Sequence, residues 1–197
     1  DIDLIKLVAE KIGYKVEIIS IDFDGLIPAL QAGQIDLIAS GMTITEERAK
    51  VVDFSIPYWE ANQAIIVVKG GLFKPKNLSD LEGKVVGVQT GTTAEILITE
   101  YINETKANIQ VKSYTSYILA TQDLLNGRID AVIVDEPVAK ALQRMYSVEA
   151  STIIETGEKY GFAVKKGNTE LLNAVNKALT EILNSQEWYN IISKYTG

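Results

Sequence analysis

Residues 40–48 have the sequence SGMTITEER, and the interpretation of the whole chain starts from this stretch. Residues 35–40 are apolar and partly β-branched, which predicts a strand leading into it. Thr45, followed by two glutamates, predicts that a helix begins inside it, because threonine caps a first turn and carboxylates there suit the helix dipole. The stretch is therefore predicted to be a strand–turn–helix junction.

Three residues predict a binding chemistry for this junction. Gly41 allows close approach of the backbone to another group, and Thr43 offers a hydroxyl and a backbone N–H. Arg48 supplies a planar fork of donors that matches a carboxylate. Together they predict a site for a small anion. The alternative is an ordinary junction whose surface arginine pairs with Glu46 or Asp53.

The composition excludes several classes of protein. The 197 residues carry a net charge of −7 without a long basic run, which argues against a nucleic-acid partner. The sequence contains no cysteine and no histidine, so it lacks thiolate ligands and the commonest general base. No apolar run approaches the roughly 20 residues of a transmembrane helix. We expect no cofactor, no metal and no catalytic residue.

Separate motifs along the chain resemble one family in sequence order. They are FDGLIPAL at 23–30, SGMTITEER, VVDFSIPY at 51–58, GVQTGTT at 87–93, GRIDAVIVDEP at 127–137 and KYGFAVKKGN at 159–168. This set resembles the polar amino-acid-binding proteins, the solute-receptor subunits of bacterial ABC importers, which have the type II periplasmic binding-protein fold. The resemblance extends over essentially the whole chain.

The local patterns predict an α/β protein, because apolar strand-like runs alternate with amphipathic helical ones. Predicted strands include residues 16–21, 35–40, 63–69, 85–88, 109–114, 129–134 and 160–165, with a short one at 153–154. The resemblance implies two lobes with mixed, mainly parallel sheets, joined by a two-strand hinge. Lobe one would comprise residues 1–68 plus 161–197, and lobe two residues 69–160. The resemblance also implies that the family's first strand is missing from lobe one.

In lobe one the resemblance assigns a ligand carboxylate to Arg48 and Thr43. It assigns the Gly41 carbonyl to a ligand ammonium, and the neighbouring Ser40 and Met42 belong to the same ligand-binding motif. Phe23 would pack on the ligand side chain. A core phenylalanine is the equally simple interpretation of Phe23.

In lobe two Asp135 ends an apolar strand, where open α/β sheets place their ligands. The resemblance makes it the partner of the ligand ammonium, whereas the local pattern also fits a helix N-cap. The Gly-containing turn with Gln89, Thr92 and Thr93 precedes a helix and would add donors to the ligand carboxylate. A simple capped turn is the alternative.

The expected ligand is a free L-amino acid, arginine or a similar basic one, with glutamine second. Glutamine receptors often carry a lysine where Gln89 stands, and a lysine would repel a guanidinium. The expected partners are membrane ABC permease subunits, and the expected location is periplasmic or extracellular, with or without a lipid anchor. We expect a monomer, or a dimer if the first strand is absent from the molecule.

Two other functions are compatible with the same motifs. A sensor domain of a membrane receptor would have an identical site. An enzyme such as a small-molecule dehydratase would need a general acid, for which only Asp135, Glu136 and a few tyrosines are available.

Overall fold

A computed structural model describes residues 1–196, which form α-helices, short 3-10 turns and two sheets. The helices are α1 (Ile2–Ile12), α2 (Leu26–Gln31), α3 (Glu46–Ala49), α4 (Thr93–Thr105), α5 (Tyr117–Leu125), α6 (Glu136–Met145), α7 (Thr169–Leu183) and α8 (Gln186–Thr196). The strands are β1 (Leu37–Ile38), β2 (Val52–Phe54), β3 (Trp59–Val68), β4 (Val85–Gln89), β5 (Gln110–Tyr114), β6 (Ala131–Asp135), β7 (Val148–Tyr160) and β8 (Ala163–Lys165). The 3-10 turns are Phe23–Gly25 and Leu78–Leu81.

The chain forms two compact units. Unit 1 comprises Asp1–Ile21, Gly25–Glu60 and the chain from Glu158 onward, and unit 2 comprises Asp22–Asp24 and Ala61–Gly157. The chain passes from unit 1 to unit 2 inside β3 and returns inside β7. The lobe boundaries predicted from the sequence stay a prediction. Gly197, the last residue of predicted lobe one, lies outside the described residues.

Unit 1 contains a three-stranded sheet in the order β1-β8-β2, in which β8 pairs antiparallel with both neighbours. Helix α1 has the apolar spacing that the sequence predicts, and its buried face includes Leu4 and Val8. Its C-terminus is closed by Gly13 in the left-handed conformation. Phe162 and Leu179 are fully buried and belong to the core of this unit.

The strand predicted at residues 16–21 is wrong. This segment has no strand assignment, and it lines a cavity of about 800 Å³ in unit 1 together with α1, residues 34–40 and α7. Ile18 and Ile19 are each about half exposed, at 52% and 51%. An alternating apolar pattern forms a strand only when a neighbouring backbone accepts its hydrogen bonds, and none does so here within residues 1–196. The strand predicted at 35–40 is only two residues long, Leu37–Ile38, in the structure. This strand lies at the edge of its sheet, so it has a hydrogen-bonding neighbour on one side.

Unit 2 is organised by a five-stranded sheet in the order β5-β4-β6-β3-β7. Strand β4 pairs parallel with β5 and β6, whereas β3 pairs antiparallel with β6. The near-continuous apolar runs of β3, β4 and β6 are explained by burial of both faces of the sheet. One face packs against α5 and α6 and the other against α4.

The predicted strands at 153–154 and 160–165 need correction, because they belong to a long β7 and a separate short β8. Most residues of β7 are partly exposed, so the strand lacks the apolar signal that marks β3 and β6. After Tyr160 the ladder is interrupted, since the N–H of Phe162 donates to the Ser55 hydroxyl at 2.9 Å. The unit 1 sheet is therefore antiparallel, whereas the unit 2 sheet combines parallel and antiparallel pairs.

Candidate functional site

In unit 1 the SGMTITEER stretch forms the predicted junction. Thr45 caps α3, its hydroxyl accepting from the Arg48 N–H at 3.1 Å. The Arg48 guanidinium donates from Nη1 to the Thr43 carbonyl at 2.9 Å. The helix start is therefore confirmed, and the planar fork is tied to the backbone of its own junction.

In the structure, other donors bind Asp53, the alternative partner of Arg48. The Asp53 carboxylate accepts from the Gly167 N–H at 2.9 Å and lies 3.4 Å from the Lys166 ammonium. The Gly167 N–H is the main cause that lowers the pKa of Asp53. Asp53 thus fastens the β8–α7 turn.

Gly41 takes a left-handed conformation with φ +56°, and its N–H donates to the Asp1 carboxylate. The same carboxylate accepts from the Tyr58 hydroxyl at 2.8 Å. Tyr58 is buried, and burial raises the pKa of its phenol far above the ordinary value. Asp1 and Tyr58 therefore hold the glycine turn from outside the motif.

The other predicted residues of this stretch differ in exposure. Ser40 is exposed, whereas Met42 and Thr43 are buried at 1% and 4% exposure. The Thr43 hydroxyl donates to the Glu158 carboxylate at 3.4 Å. Because the Met42 side chain belongs to the core, a ligand could reach this residue only through its main chain.

In unit 2 Asp135 ends β6 at the N-cap position of α6, yet its side chain makes no capping hydrogen bond. Its Oδ1 instead accepts from Nε2 of Gln63 at 2.6 Å. Gln63 is the register partner of Asp135 across the antiparallel β3–β6 pair. The simple N-cap interpretation of Asp135 is therefore not what the structure shows.

The predicted turn at the start of α4 is capped by the Thr92 hydroxyl, which accepts from the Glu95 N–H at 3.3 Å. The Glu95 carboxylate in turn accepts from the Gly91 N–H at 3.2 Å. Thr93 begins the helix, and its hydroxyl oxygen lies 3.3 Å from Nε2 of Gln63. The Gln89 amide donates to the Thr115 carbonyl at 3.2 Å.

Phe23 lies in the 3-10 turn Phe23–Gly25, groups with unit 2 and is partly exposed. A core phenylalanine is normally fully buried, so the exposure favours the prediction that its ring meets a ligand. The contact of a ligand with Phe23 and with the other residues above stays a prediction.

Three residues that hold the predicted ones were absent from the sequence-based site: Asp1, Tyr58 and Gln63. Gln63 carries a usable signal, because a glutamine opens the apolar run Ala64–Val67 of a buried strand and must find partners there. Asp1 and Tyr58 carry none, since their contact with Gly41 and with each other depends on the tertiary fold.

Within residues 1–196, no three side chains of His, Cys, Asp or Glu are grouped as a metal site would require. The same residues include no helix with both the length and the apolar character needed to cross a bilayer.

The chain was compared with proteins of known sequence and structure. The model of the bacterial extracellular solute-binding proteins, family 3, matches residues 1–197. A probable histidine-binding protein of Campylobacter jejuni is 37% identical over 99% of this chain and 75% of its own length. ABC transporter arginine-binding protein 1 of Escherichia coli is 36% identical over 92% of this chain and 74% of its own length.

Solved structures agree with these relatives. An ancestral arginine-binding protein bound to arginine is 47% identical, with a TM-score of 0.93 over 100% of this chain and 87% of its own. An ancestral arginine-binding protein bound to glutamine is also 47% identical, with a TM-score of 0.92 over 100% of this chain and 86% of its own. The predicted fold class, a type II periplasmic binding protein with mixed α/β units, is confirmed, and the missing first strand stays a prediction.

The family also confirms that the chain is a binding protein and not an enzyme, since the matched proteins are solute-binding proteins. The full-length match of the family model, together with relatives above 30% identity, shows that the chain belongs to family 3 of the bacterial extracellular solute-binding proteins.

Proposed function

We propose that this chain is the receptor for a free L-amino acid, with arginine as its ligand. The observation that carries the proposal is Asp135, a carboxylate at a strand end and helix start that does not cap the helix. A carboxylate fixed in this way by Gln63 is an oriented acceptor for an α-ammonium group.

The α-carboxylate of the ligand is assigned to Arg48. Its guanidinium is partly buried and anchored through Nη1 on the Thr43 carbonyl, which limits the motion of the remaining donors. An oriented guanidinium binds a carboxylate through two parallel hydrogen bonds, which a lysine could not reproduce.

The choice of arginine rests on the environment of the ligand side chain. The Gln89 Nε2 donates to the Thr115 carbonyl, so its Oε1 is the end of the amide that is left for a donor such as a guanidinium. Phe23 offers a partly exposed ring for cation–π stacking. Glutamine is the second candidate, because an ancestral arginine-binding protein of the same fold is also described bound to glutamine.

The proposal extends to the context of the receptor. We propose that it works as a monomer in the periplasm or at the cell exterior and delivers its ligand to an ABC permease. The family is extracellular, and the relative from Escherichia coli is named an ABC transporter arginine-binding protein.

Titration of the purified protein with each of the twenty amino acids tests the proposal. Arginine should bind most tightly, and at one hundred times its Kd it should stabilise the fold by about 2.7 kcal/mol. Scanning calorimetry would show this as a higher Tm. If glutamine bound most tightly, glutamine and not arginine would be the ligand. The absence of both binding heat and a Tm change with every amino acid would refute the proposal.

A further inference from the structure

We propose that Gln63 is a positioning residue for the ligand ammonium, acting through Asp135. This inference rests on the proposed function and names a residue that the motifs of the sequence do not contain. The first observation is burial: Gln63 on β3 is 1% exposed, and a buried amide needs hydrogen-bond partners.

The register of the sheet places Gln63 beside its target. Gln63 and Asp135 are directly opposite each other on β3 and β6, a relation in which side chains share one face and lie within contact. The Nε2–Oδ1 distance is 2.6 Å, so the amide donates a hydrogen bond to the carboxylate.

The second proton of the same nitrogen has a defined direction as well. Nε2 lies 3.3 Å from the Thr93 hydroxyl oxygen, at the first residue of α4. An amide nitrogen has two hydrogens, so one can serve Asp135 and the other Thr93. Gln63 therefore joins the end of β6 to the start of α4, two of the elements predicted to contact the ligand.

The two bonds have different consequences for a ligand. At Asp135 the amide fixes the carboxylate plane, and a carboxylate can accept further donors such as an ammonium. At Thr93 the hydroxyl oxygen acts as the acceptor, so its own hydrogen is directed away from Gln63 and can be donated to a ligand carboxylate. A single buried amide thus orients the Asp135 carboxylate as an acceptor and the Thr93 hydroxyl as a donor.

The substitution Gln63→Met tests this role, because methionine has a similar length and no hydrogen-bonding amide. Arginine affinity should fall about tenfold or more, as expected when a charge-assisted bond is lost. The affinity for the α-hydroxy analogue of arginine, which lacks the ammonium but keeps the carboxylate, should fall by a clearly smaller factor, because only the Thr93 contact is affected. Equal losses for both ligands, or an unchanged affinity for arginine, would overturn the inference.

Asn62 provides a matched control on the same strand. Its Oδ1 accepts the N–H groups of Thr156 and Gly157, both at 3.0 Å, so it ties β3 to β7. Asn62→Leu should lower the Tm and alter the affinities for arginine and its α-hydroxy analogue by the same factor. Gln63→Met should also lose its effect in an Asp135→Asn background, and a full additional loss there would count against the inference.

A measurement on the wild-type protein decides the case where Gln63→Met does not fold. The side-chain Nε2–H NMR signals of Gln63 should lie apart from those of exposed Gln110 and move more on addition of arginine than on addition of the α-hydroxy analogue. Signals unmoved by arginine would overturn the inference. Failure of wild-type protein to bind any amino acid is a separate result, which would reject the proposed function and this inference with it.

Discussion

At the scale of single residues, the proposed ligand groups owe their positions to neighbours that are distant in sequence. Arg48 is anchored within its own junction, but Gly41 is held by Asp1 and Tyr58, and Asp135 by Gln63. Burial makes the bonds of Tyr58 and Gln63 matter, because an unsatisfied buried polar group costs about 1–3 kcal/mol. Stability and binding should therefore respond to different substitutions.

The Tyr58–Asp1 contact gives a prediction at this scale. Tyr58→Phe removes the hydroxyl that donates to the Asp1 carboxylate at 2.8 Å while keeping the ring stacked on Phe162. A hydrogen bond to a charged group contributes about 1.5–3 kcal/mol, so the free energy of unfolding should fall by about that amount. Urea unfolding measures it, and Tyr189→Phe on exposed Tyr189 is the matched control. Equal stability of the two variants would contradict the account.

The motif residues could be predicted because their chemistry is local. Thr45 precedes a helix, Gly41 has the positive φ that favours glycine, and Asp135 follows an apolar strand. Asp1 could not be connected with Gly41 in this way, since forty residues separate them and only tertiary packing brings them together. Whether the Asp135 carboxylate caps α6 or accepts a hydrogen bond from another strand likewise depends on its cross-strand neighbour, Gln63.

At the scale of helices and strands, apolar periodicity identifies the elements that bury a face and fails for those that do not. Strands β4 and β6 are buried on both faces and are predicted almost to the residue. Residues 16–21 have the right pattern without a hydrogen-bonding neighbour, and β7 is a strand without an apolar pattern. A strand is defined by its pairing, which a single segment of sequence does not contain.

The break between β7 and β8 supplies a packing prediction. A Cβ at Gly161 would lie 2.9 Å from Cδ1 of Ile44, closer than carbon atoms tolerate. Gly161→Ala should therefore destabilise the protein by about 1–3 kcal/mol in urea unfolding. Ile44→Val removes that methyl group and should recover part of the loss in the double variant. Simple additivity of the two single losses would show that the contact is not the cause.

A charged cluster between β5 and α5 supplies a pH prediction. Hydrogen bonds from Lys112, Tyr114 and Arg128 hold the pKa of Asp123 at about 2, below its ordinary value. A carboxyl whose pKa is lowered by folding stabilises the native state above its unfolded pKa, near 4, and loses this contribution as pH falls through about 2.

Asp123→Asn should therefore be less stable than the wild type at neutral pH, and the difference should shrink as the pH is lowered from 4 towards 2. Urea unfolding across this range measures it, because guanidinium would screen the exposed charges. Asp36→Asn, at an exposed aspartate of unit 1, is the matched control for the loss of a surface carboxylate. A difference that is constant with pH would contradict the assignment.

At the scale of the whole molecule, the order of the elements along the chain differs from their grouping in space. Unit 2 is largely an insertion, and the chain enters and leaves it inside β3 and β7. Local patterns predict the alternation of strands and helices but contain no information on this interleaving. The interleaved lobes predicted above come from the resemblance across several ordered motifs and not from these patterns.

The central claim is that Arg48 binds the carboxylate of arginine and Asp135 its ammonium, and one calorimetric series tests it most directly. Wild-type protein, Arg48→Met and Asp135→Asn are titrated with arginine, with agmatine, which lacks the carboxylate, and with the α-hydroxy analogue, which lacks the ammonium. Arg144→Met, at the end of α6, controls for the loss of an arginine.

Arg48→Met should bind arginine about 100-fold more weakly and no longer prefer arginine over agmatine, because the carboxylate has lost its partner. Asp135→Asn should lose the preference for arginine over the α-hydroxy analogue in the same way. Wild-type preferences retained in both variants would contradict the claim that these two side chains bind the ligand.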